Sequence, residues 1–193
     1  MKIIAIGILP YILVILPFLP SCGFRSTALV ANQTLKSLYT QIPVSGGESI
    51  MLFLAALIFF YLIYLRKKIL PQFLWQRFFV ILLLFFTFTH YHPQWFLWIS
   101  PFFILVLIKS GFKHVLATLI ALFSFIGLLF FFDSGLTLGL LCPIFPNLYN
   151  APSLWQILNL SPDYNFFRSI LQTIFAGSAL YFIYYYFPGK SED

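Results

Sequence analysis

The densest group of polar side chains beside an apolar run is His90-Tyr91-His92-Pro93-Gln94-Trp95. An imidazole can accept or donate a hydrogen bond, and it titrates near neutral pH. Two histidines two positions apart, with no third ligand nearby, are a poor pattern for a metal. They are typical of hydrogen bonding to a phosphate or sugar, or of a helix end. His90, His92, Gln94 and Trp95 are therefore candidate substrate-binding residues, and we expect no metal and no cofactor.

Arg168 completes the candidate substrate-binding set. It stands at the start of the last apolar run, where a guanidinium can bind an anionic phosphate or extend to the membrane interface. Acid–base chemistry needs a positioned proton donor or acceptor, and the sequence holds only five Asp and Glu residues. Glu48, Asp133 and Asp163 stand outside any motif that we recognise. No residue is therefore assigned a catalytic role.

The composition decides which class of protein must position these side chains. Of 193 residues, 61% are hydrophobic and only 8% are charged, whereas soluble domains carry about 25% charged residues. A soluble enzyme and a disordered chain are excluded. The net charge of +6 comes from basic residues distributed between apolar runs, not from a single patch of the kind that binds nucleic acid. We expect an integral membrane protein with no nucleic-acid partner.

Six apolar runs are candidates for membrane spans. A helix needs about 20 apolar residues to cross the hydrocarbon core, and these runs do not alternate as barrel strands do. We therefore predict an all-α fold, a polytopic transmembrane helix bundle of about six spans that forms a single membrane domain over residues 1–193. The runs are Ile3–Leu19, Ile50–Leu65, Phe78–Thr89 (lengthened by Phe73–Trp75), Trp95–Ile108, Val115–Phe132 and Phe166–Phe187.

The Lys and Arg residues predict the orientation, because eight fall on one side of this arrangement and three on the other. Since cytoplasmic loops are enriched in Lys and Arg, both termini are predicted to be cytoplasmic, in a plasma or inner membrane. Residues 21–49 and 133–165 then form the outer segments. Residues 1–20 are the first span or a signal-like segment that ends before a lipidated Cys22. A disulfide between Cys22 and Cys142 is the other option for these thiols.

Short helices are predicted at the membrane surface in both outer segments. The second outer segment, 133–165, is expected to contain a re-entrant or interfacial piece. In it Ser153 and Gln156 fit a capping box that begins a short helix through Leu160, with Trp155 at headgroup depth. A helical stripe predicts another surface helix in the first outer segment: Leu35, Leu38, Tyr39 and Ile42.

Small residues at helical spacing predict close contacts between spans. In the last span they are Ser169, Thr173 and Gly177, and in the fifth span Ala117, Ala121 and Ser124. Pro101 is expected to kink its span and to free the carbonyl of Leu97. His114, between cytoplasmic lysines, is expected at the surface.

The run from His92 to Phe102 resembles a helix start on the outer side of C-superfamily (GT-C) glycosyltransferases. These mannosyltransferase-like membrane enzymes take sugars from polyprenyl phosphates. Members of that family place a catalytic acidic pair in the first outer loop, where this chain has Glu48 alone. The resemblance therefore implies the C-terminal portion of such an enzyme, without the catalytic acidic motif. The matching positions are Pro93, Gln94, Trp95, Leu97, Trp98 and Pro101.

Two functional hypotheses follow. In the first, the chain resembles the C-terminal membrane half of a glycosyltransferase and contacts membrane lipids and a polyprenyl-phosphate sugar. In the second, it is a non-enzymatic membrane scaffold or assembly subunit whose small-residue faces bind a partner membrane subunit. The sugar, the acceptor and whether the chain is catalytic stay open.

Overall fold

The protein is an all-α bundle, as predicted, in a computed structural model that describes residues 2–29, 35–66 and 71–187. Shorter helical turns and one small hairpin connect the helices of the described ranges. The hairpin strands are β1 (Gln41–Pro43) and β2 (Ser49–Met51). The helices that organise the bundle are α1 (Lys2–Ile15), α2 (Leu52–Arg66), α3 (Leu74–Phe88), α4 (Ser100–Ser110), α5 (Val115–Leu129), α6 (Leu154–Ile157) and α7 (Tyr164–Tyr186).

Among the described residues, three helical segments are long and apolar enough to cross a membrane: Pro71–Phe88, Pro93–Ser110 and Tyr164–Tyr186. Three shorter apolar helices coincide with the other predicted runs: Ile8–Phe18, Leu52–Arg66 and Val115–Leu129. At about 1.5 Å per residue, the 15-residue helices α2 and α5 are shorter than a hydrocarbon core of about 30 Å. The predicted orientation depends in part on Lys67, Lys68 and Lys190, which lie outside the described residues.

The core forms around α7, which packs against both α3 and α5. Phe79 of α3, Phe103 of α4, and Phe175 and Phe182 of α7 are all at most 1% exposed. Their rings meet edge to face, with centroids 5.3 Å apart for Phe79 and Phe103 and 5.7 Å apart for Phe103 and Phe182. This is a preferred geometry for aromatic pairs. The bulky aromatic face of α7 therefore points inward.

The small-residue stripe of α7 points outward, so the prediction that it packs inside this bundle was wrong. Ser169, Thr173 and Gly177 are all exposed. The hydroxyl of Ser169 donates to the carbonyl of Asn165, and that of Thr173 to the carbonyl of Ser169, each at 2.7 Å. These hydroxyls are satisfied on their own helix, as is common in membrane helices, while the aromatic face of α7 buries more apolar area.

The fifth span packs as predicted, since Ala121 and Ser124 are buried. Gly127 lies at the closest approach of α5 to α7. A Cβ at this position would lie 3.0 Å from a methyl carbon of Leu171.

The first outer segment forms a hairpin where a surface helix was predicted over Leu35–Ile42. Within the predicted range, Leu35 is helical and Lys36–Leu38 form a 3-10 turn, but the helical conformation does not continue to Ile42. Ile42 then pairs with Ile50 between the antiparallel strands β1 and β2. Gly46 and Gly47 have φ angles of 70° and 90°, a conformation that glycine adopts without strain. Their tight turn makes strand pairing possible, so period-3.6 spacing was misleading here.

Two local predictions are confirmed. As predicted for the residue four positions before Pro101, the carbonyl of Leu97 is available to a side chain, and it accepts a 3.3 Å hydrogen bond from Ser100 Oγ. Leu97 belongs to a 3-10 helix, Pro93–Trp98, that precedes α4. The predicted capping box of Ser153 and Gln156 begins α6. The helix ends at Ile157 and not at Leu160.

His114 is buried, with 4% of its surface exposed, so its predicted surface position was wrong. Its Nδ1 lies 2.8 Å from the hydroxyl of Tyr181, and its ring packs edge-on to Tyr185 at 4.2 Å. Burial, followed by the charge of Lys113, lowers the pKa of His114. The turn between α4 and α5 is thereby attached to α7.

The close approach at Gly127 gives a stability test. Gly127→Val adds side-chain atoms against Leu171, and overpacking of this kind costs about 1–3 kcal/mol. We expect a lower midpoint of thermal unfolding in detergent, measured by the change in tryptophan fluorescence. Gly177→Val is the matched control, because a Cβ at Gly177 meets no atom within 4 Å. Equal destabilisation by both substitutions would contradict the proposed contact.

Candidate functional site

A polar cavity of about 640 Å³ lies where the end of α3 meets the start of α7. It is also bordered by the hairpin through Thr40 and by Phe132, just beyond α5. A volume of this size is typical of small-molecule sites. Its polar lining comes from Thr40, Thr87, Thr89, His90, Asn165, Arg168, Ser169 and Gln172. We call this space the polar cavity.

Arg168 holds the cavity's fixed positive charge. Its Nε donates to the carbonyl of Phe131 at 2.6 Å, and its Nη2 donates to the same carbonyl. Phe131 follows the C-terminal end of α5, where backbone carbonyls lack helical hydrogen-bond partners. The guanidinium also lies over the ring of Phe132, 5.3 Å from its centroid. Nη1 makes no hydrogen bond to a described residue and is free to donate to a ligand.

Gln172, one turn after Arg168, attaches α7 to α3. Its amide nitrogen donates to the carbonyls of Phe86 at 2.7 Å and Thr87 at 3.2 Å. Thr40 Oγ1 donates to the next carbonyl, that of Phe88. The last carbonyls of α3 are therefore bonded by side chains from two other parts of the chain, which fixes the wall of the polar cavity.

His90 lies in this cavity in a positive environment. Partial burial lowers its pKa, and the charges of Lys36, Arg168 and His92 lower it further. The neighbouring Thr89 is 2% exposed, and its hydroxyl is buried without a hydrogen-bond partner among the described residues. The cavity therefore combines positive charge with an unused donor, a combination that suits an anion.

The carboxylates of the outer segments lie elsewhere. Asp133 accepts a 2.9 Å hydrogen bond from the backbone N–H of Gly135. Asp163 caps α7 by accepting from the N–H groups of Asn165 and Phe166. Among the described residues that line the polar cavity there is no Asp or Glu. The cavity can bind an anion but offers no carboxyl group for acid–base chemistry.

An apolar cavity of about 600 Å³ lies beside the polar one. It is bounded by α5, by the start of the α4 span at Gln94 and Leu97, and by the 134–140 part of the outer segment. Phe132 lines both cavities. A hydrocarbon chain suits this apolar lining, so the pair of cavities matches a molecule with a polar head and an apolar tail.

The structure brings together two of the five candidate residues, His90 and Arg168, in the polar cavity. Gln94 is exposed and lines the apolar cavity. His92 and Trp95 line neither cavity; their rings lie 5.3 Å apart, and Trp95 stacks on Trp98 at 5.5 Å. Both ring nitrogens of His92 are buried without a described partner.

Four residues in or near the polar cavity were not predicted from the sequence: Gln172, Thr89, Thr40 and Lys36. A signal for Gln172 was present, since it follows Arg168 by four residues and so shares its helix face. Thr40 reaches the cavity because of the hairpin, and Lys36 acts on the cavity through its charge near His90. Within the described ranges there is no group of three or more His, Cys, Asp or Glu that could hold a metal ion. Cys22 and Cys142 are free thiols.

Burial and the neighbouring positive charges predict that the pKa of His90 is lowered. Its folded-state pKa is lowered, so protonation favours the unfolded chain, and stability falls as the pH drops through about 6.5. We expect Lys36→Gln to raise the pKa of His90 by removing a repelling charge. NMR titration of the imidazole in micelles measures this. Lys113→Gln, beside His114, is the charge-matched control; a pKa of His90 at or above 6.5 in the parent protein would contradict the described environment.

No protein-family model, curated protein or solved structure matches this chain. The functional conclusion therefore depends on the geometry of its own two cavities.

Proposed function

We propose that this protein binds a polyprenyl-phosphate-linked sugar at the outer membrane interface, as the C-terminal membrane half of a glycosyltransferase. The observation that carries the proposal is the cationic polar cavity beside an apolar cavity, with Phe132 as their common wall. A polyprenyl phosphate has a matching division between its anionic head and its hydrocarbon tail. Its chemistry therefore fits both cavities at once.

In this proposal the phosphate lies against Arg168 and His90. Arg168 supplies a charge-assisted hydrogen bond through Nη1, while its other nitrogens hold it on Phe131. Hydrogen bonds to charged groups contribute about 1.5–3 kcal/mol. His90 donates a second bond, and an anion beside it offsets the positive charges that lower its pKa. The buried hydroxyl of Thr89 is a third donor.

The prenyl chain occupies the apolar cavity, where Leu97 and Leu138 supply hydrocarbon contacts. Gln94 adds a polar side chain to the lining of this cavity. The polar cavity then faces the outer side and both termini face the cytoplasm, in agreement with the distribution of Lys and Arg along the chain.

The proposed role of this chain is to bind the substrate. A glycosyl transfer needs a group that accepts the acceptor's proton, and the described lining of the two cavities has no carboxylate. The described lining of these cavities therefore supplies substrate binding and no carboxyl group for the transfer step. This is consistent with a chain that lacks the acidic pair of the family it resembles.

Substitution of Arg168 tests phosphate binding directly. Arg168→Gln should weaken binding of a polyprenyl phosphate roughly 10–100-fold, the loss of one charge-assisted hydrogen bond. Native mass spectrometry of the detergent-solubilised protein, titrated with the lipid, measures the change. His90→Gln should weaken binding less, and Arg168→Lys should restore part of it.

Arg25→Gln is the matched control, because Arg25 bonds to the carbonyls of Leu19 and Pro20 and lines neither cavity. Thermal unfolding of each variant separates lost binding from lost fold. Unchanged affinity in a folded Arg168→Gln protein would refute the phosphate site.

A scaffold function is the second candidate, and the exposed stripe of α7 favours it. Thr173 and Gly177 are exposed and line none of the cavities described above, and a Cβ at Gly177 would meet no atom within 4 Å. Such a face allows another helix to approach closely.

In the scaffold hypothesis, Gly177→Val should release a co-purifying membrane subunit, because the added methyl groups block a close helix contact. Affinity purification followed by mass spectrometry, with Gly127→Val as a stability control, measures subunit recovery. Full retention of the subunit by folded Gly177→Val protein would exclude this face as its binding surface.

A further inference from the structure

A second polar cavity lies at the opposite end of the bundle from His90. It has a volume of about 540 Å³ and is formed by the start of α3, the end of α4 and the end of α7. Because α3 and α7 run from one end of the bundle to the other, this cavity and the polar cavity border opposite membrane surfaces. Its polar lining includes Gln72, Gln76, Lys109, Ser110 and Tyr185.

Several hydrogen-bonding groups line this second cavity. The hydroxyl of Ser110 is buried without a hydrogen-bond partner among the described residues. The side-chain amides of Gln72, which is exposed, and Gln76, which is half-buried, also line the cavity. Buried polar groups are normally paired, so the unused hydroxyl of Ser110 indicates a polar ligand.

The charge of the surroundings indicates the sign of that ligand. Lys109 lines the cavity and is exposed to it, and no Asp or Glu is among the described lining residues. Arg77 lies on the neighbouring turn of α3, 3.8 Å above the ring of Tyr64. In the sequence, Arg66-Lys67-Lys68 precedes this end of α3. The ligand is therefore an anion.

The position of the cavity at the ends of the helices indicates that the anion is the headgroup of a lipid. It lies at the ends of apolar helices, and Trp75 contributes an aromatic wall, with its ring 5.5 Å from that of Tyr186. Trp and Tyr prefer the headgroup level, and basic pockets between membrane helices bind anionic headgroups.

We propose that this cavity binds the phosphodiester headgroup of an anionic phospholipid. Lys109 supplies the charge, while Ser110 and Gln76 donate hydrogen bonds to the phosphate oxygens. The proposal is independent of the polyprenyl-phosphate site, because no residue lines both cavities.

The test titrates the full chain in detergent with phosphatidylglycerol and with phosphatidylcholine, and counts bound lipid by native mass spectrometry. We expect a preference for phosphatidylglycerol that falls about fivefold in Lys109→Gln, the contribution of one basic residue at a membrane surface. Lys109→Arg should restore it. Lys113→Gln, which removes an exposed charge outside the cavity, and Arg168→Gln, in the other site, should leave it unchanged.

Three results would overturn the proposal. The first is equal binding of the two lipids. The second is an equal loss in Lys109→Gln and Lys113→Gln, which would indicate only a general basic surface. The third is displacement of the phospholipid by excess inorganic phosphate, which would assign the cavity to a soluble anion. Gln76→Leu, which keeps the charge, gives a second measurement should Lys109→Gln fail to fold; unchanged lipid binding in that variant would also count against the proposal.

Discussion

The whole arrangement depends on one constraint: inside a membrane, a backbone carbonyl at a helix end needs a hydrogen-bond donor from the protein. Two side chains of α7 meet this need for two neighbouring helices. Arg168 donates to the carbonyl of Phe131 beyond α5, and Gln172 donates to the carbonyls of Phe86 and Thr87 at the end of α3. The spacing of these two residues on one helix face therefore sets how α3 and α5 diverge, and the polar cavity is the space between them.

Arg168 and Gln172 bond to carbonyls at helix ends and also line the polar cavity. Folding of the bundle therefore orients the side chains of the proposed binding site. The guanidinium of Arg168 is already held on Phe131 and over Phe132, so its side-chain entropy is lost on folding and not on binding. A preorganised donor binds more tightly for this reason. A lysine at position 168 would keep the positive charge but would lose the two hydrogen bonds to the Phe131 carbonyl. Only the planar guanidinium group can donate both of them.

Features set by neighbours in sequence were predictable, and features set by tertiary packing were not. The capping box of Ser153 needs only Gln156, three residues on, and the six apolar runs need only their own composition. Residue type alone also made Arg168 a candidate, and it lines the polar cavity. Its grouping with Thr40 could not be predicted, because Thr40 reaches the cavity through a hairpin formed by two glycines. The burial of His114 likewise depends on α7, which is far along the chain.

The two polar cavities lie at opposite ends of α7, and what lies between them limits the functions available. Phe79, Phe103, Phe175 and Phe182 fill the middle of the bundle with essentially no exposed surface. Moving an ion through these tightly packed aromatic rings would require breaking the core that holds the helices together. This packing favours the two proposed lipid-headgroup sites over a transport path between them.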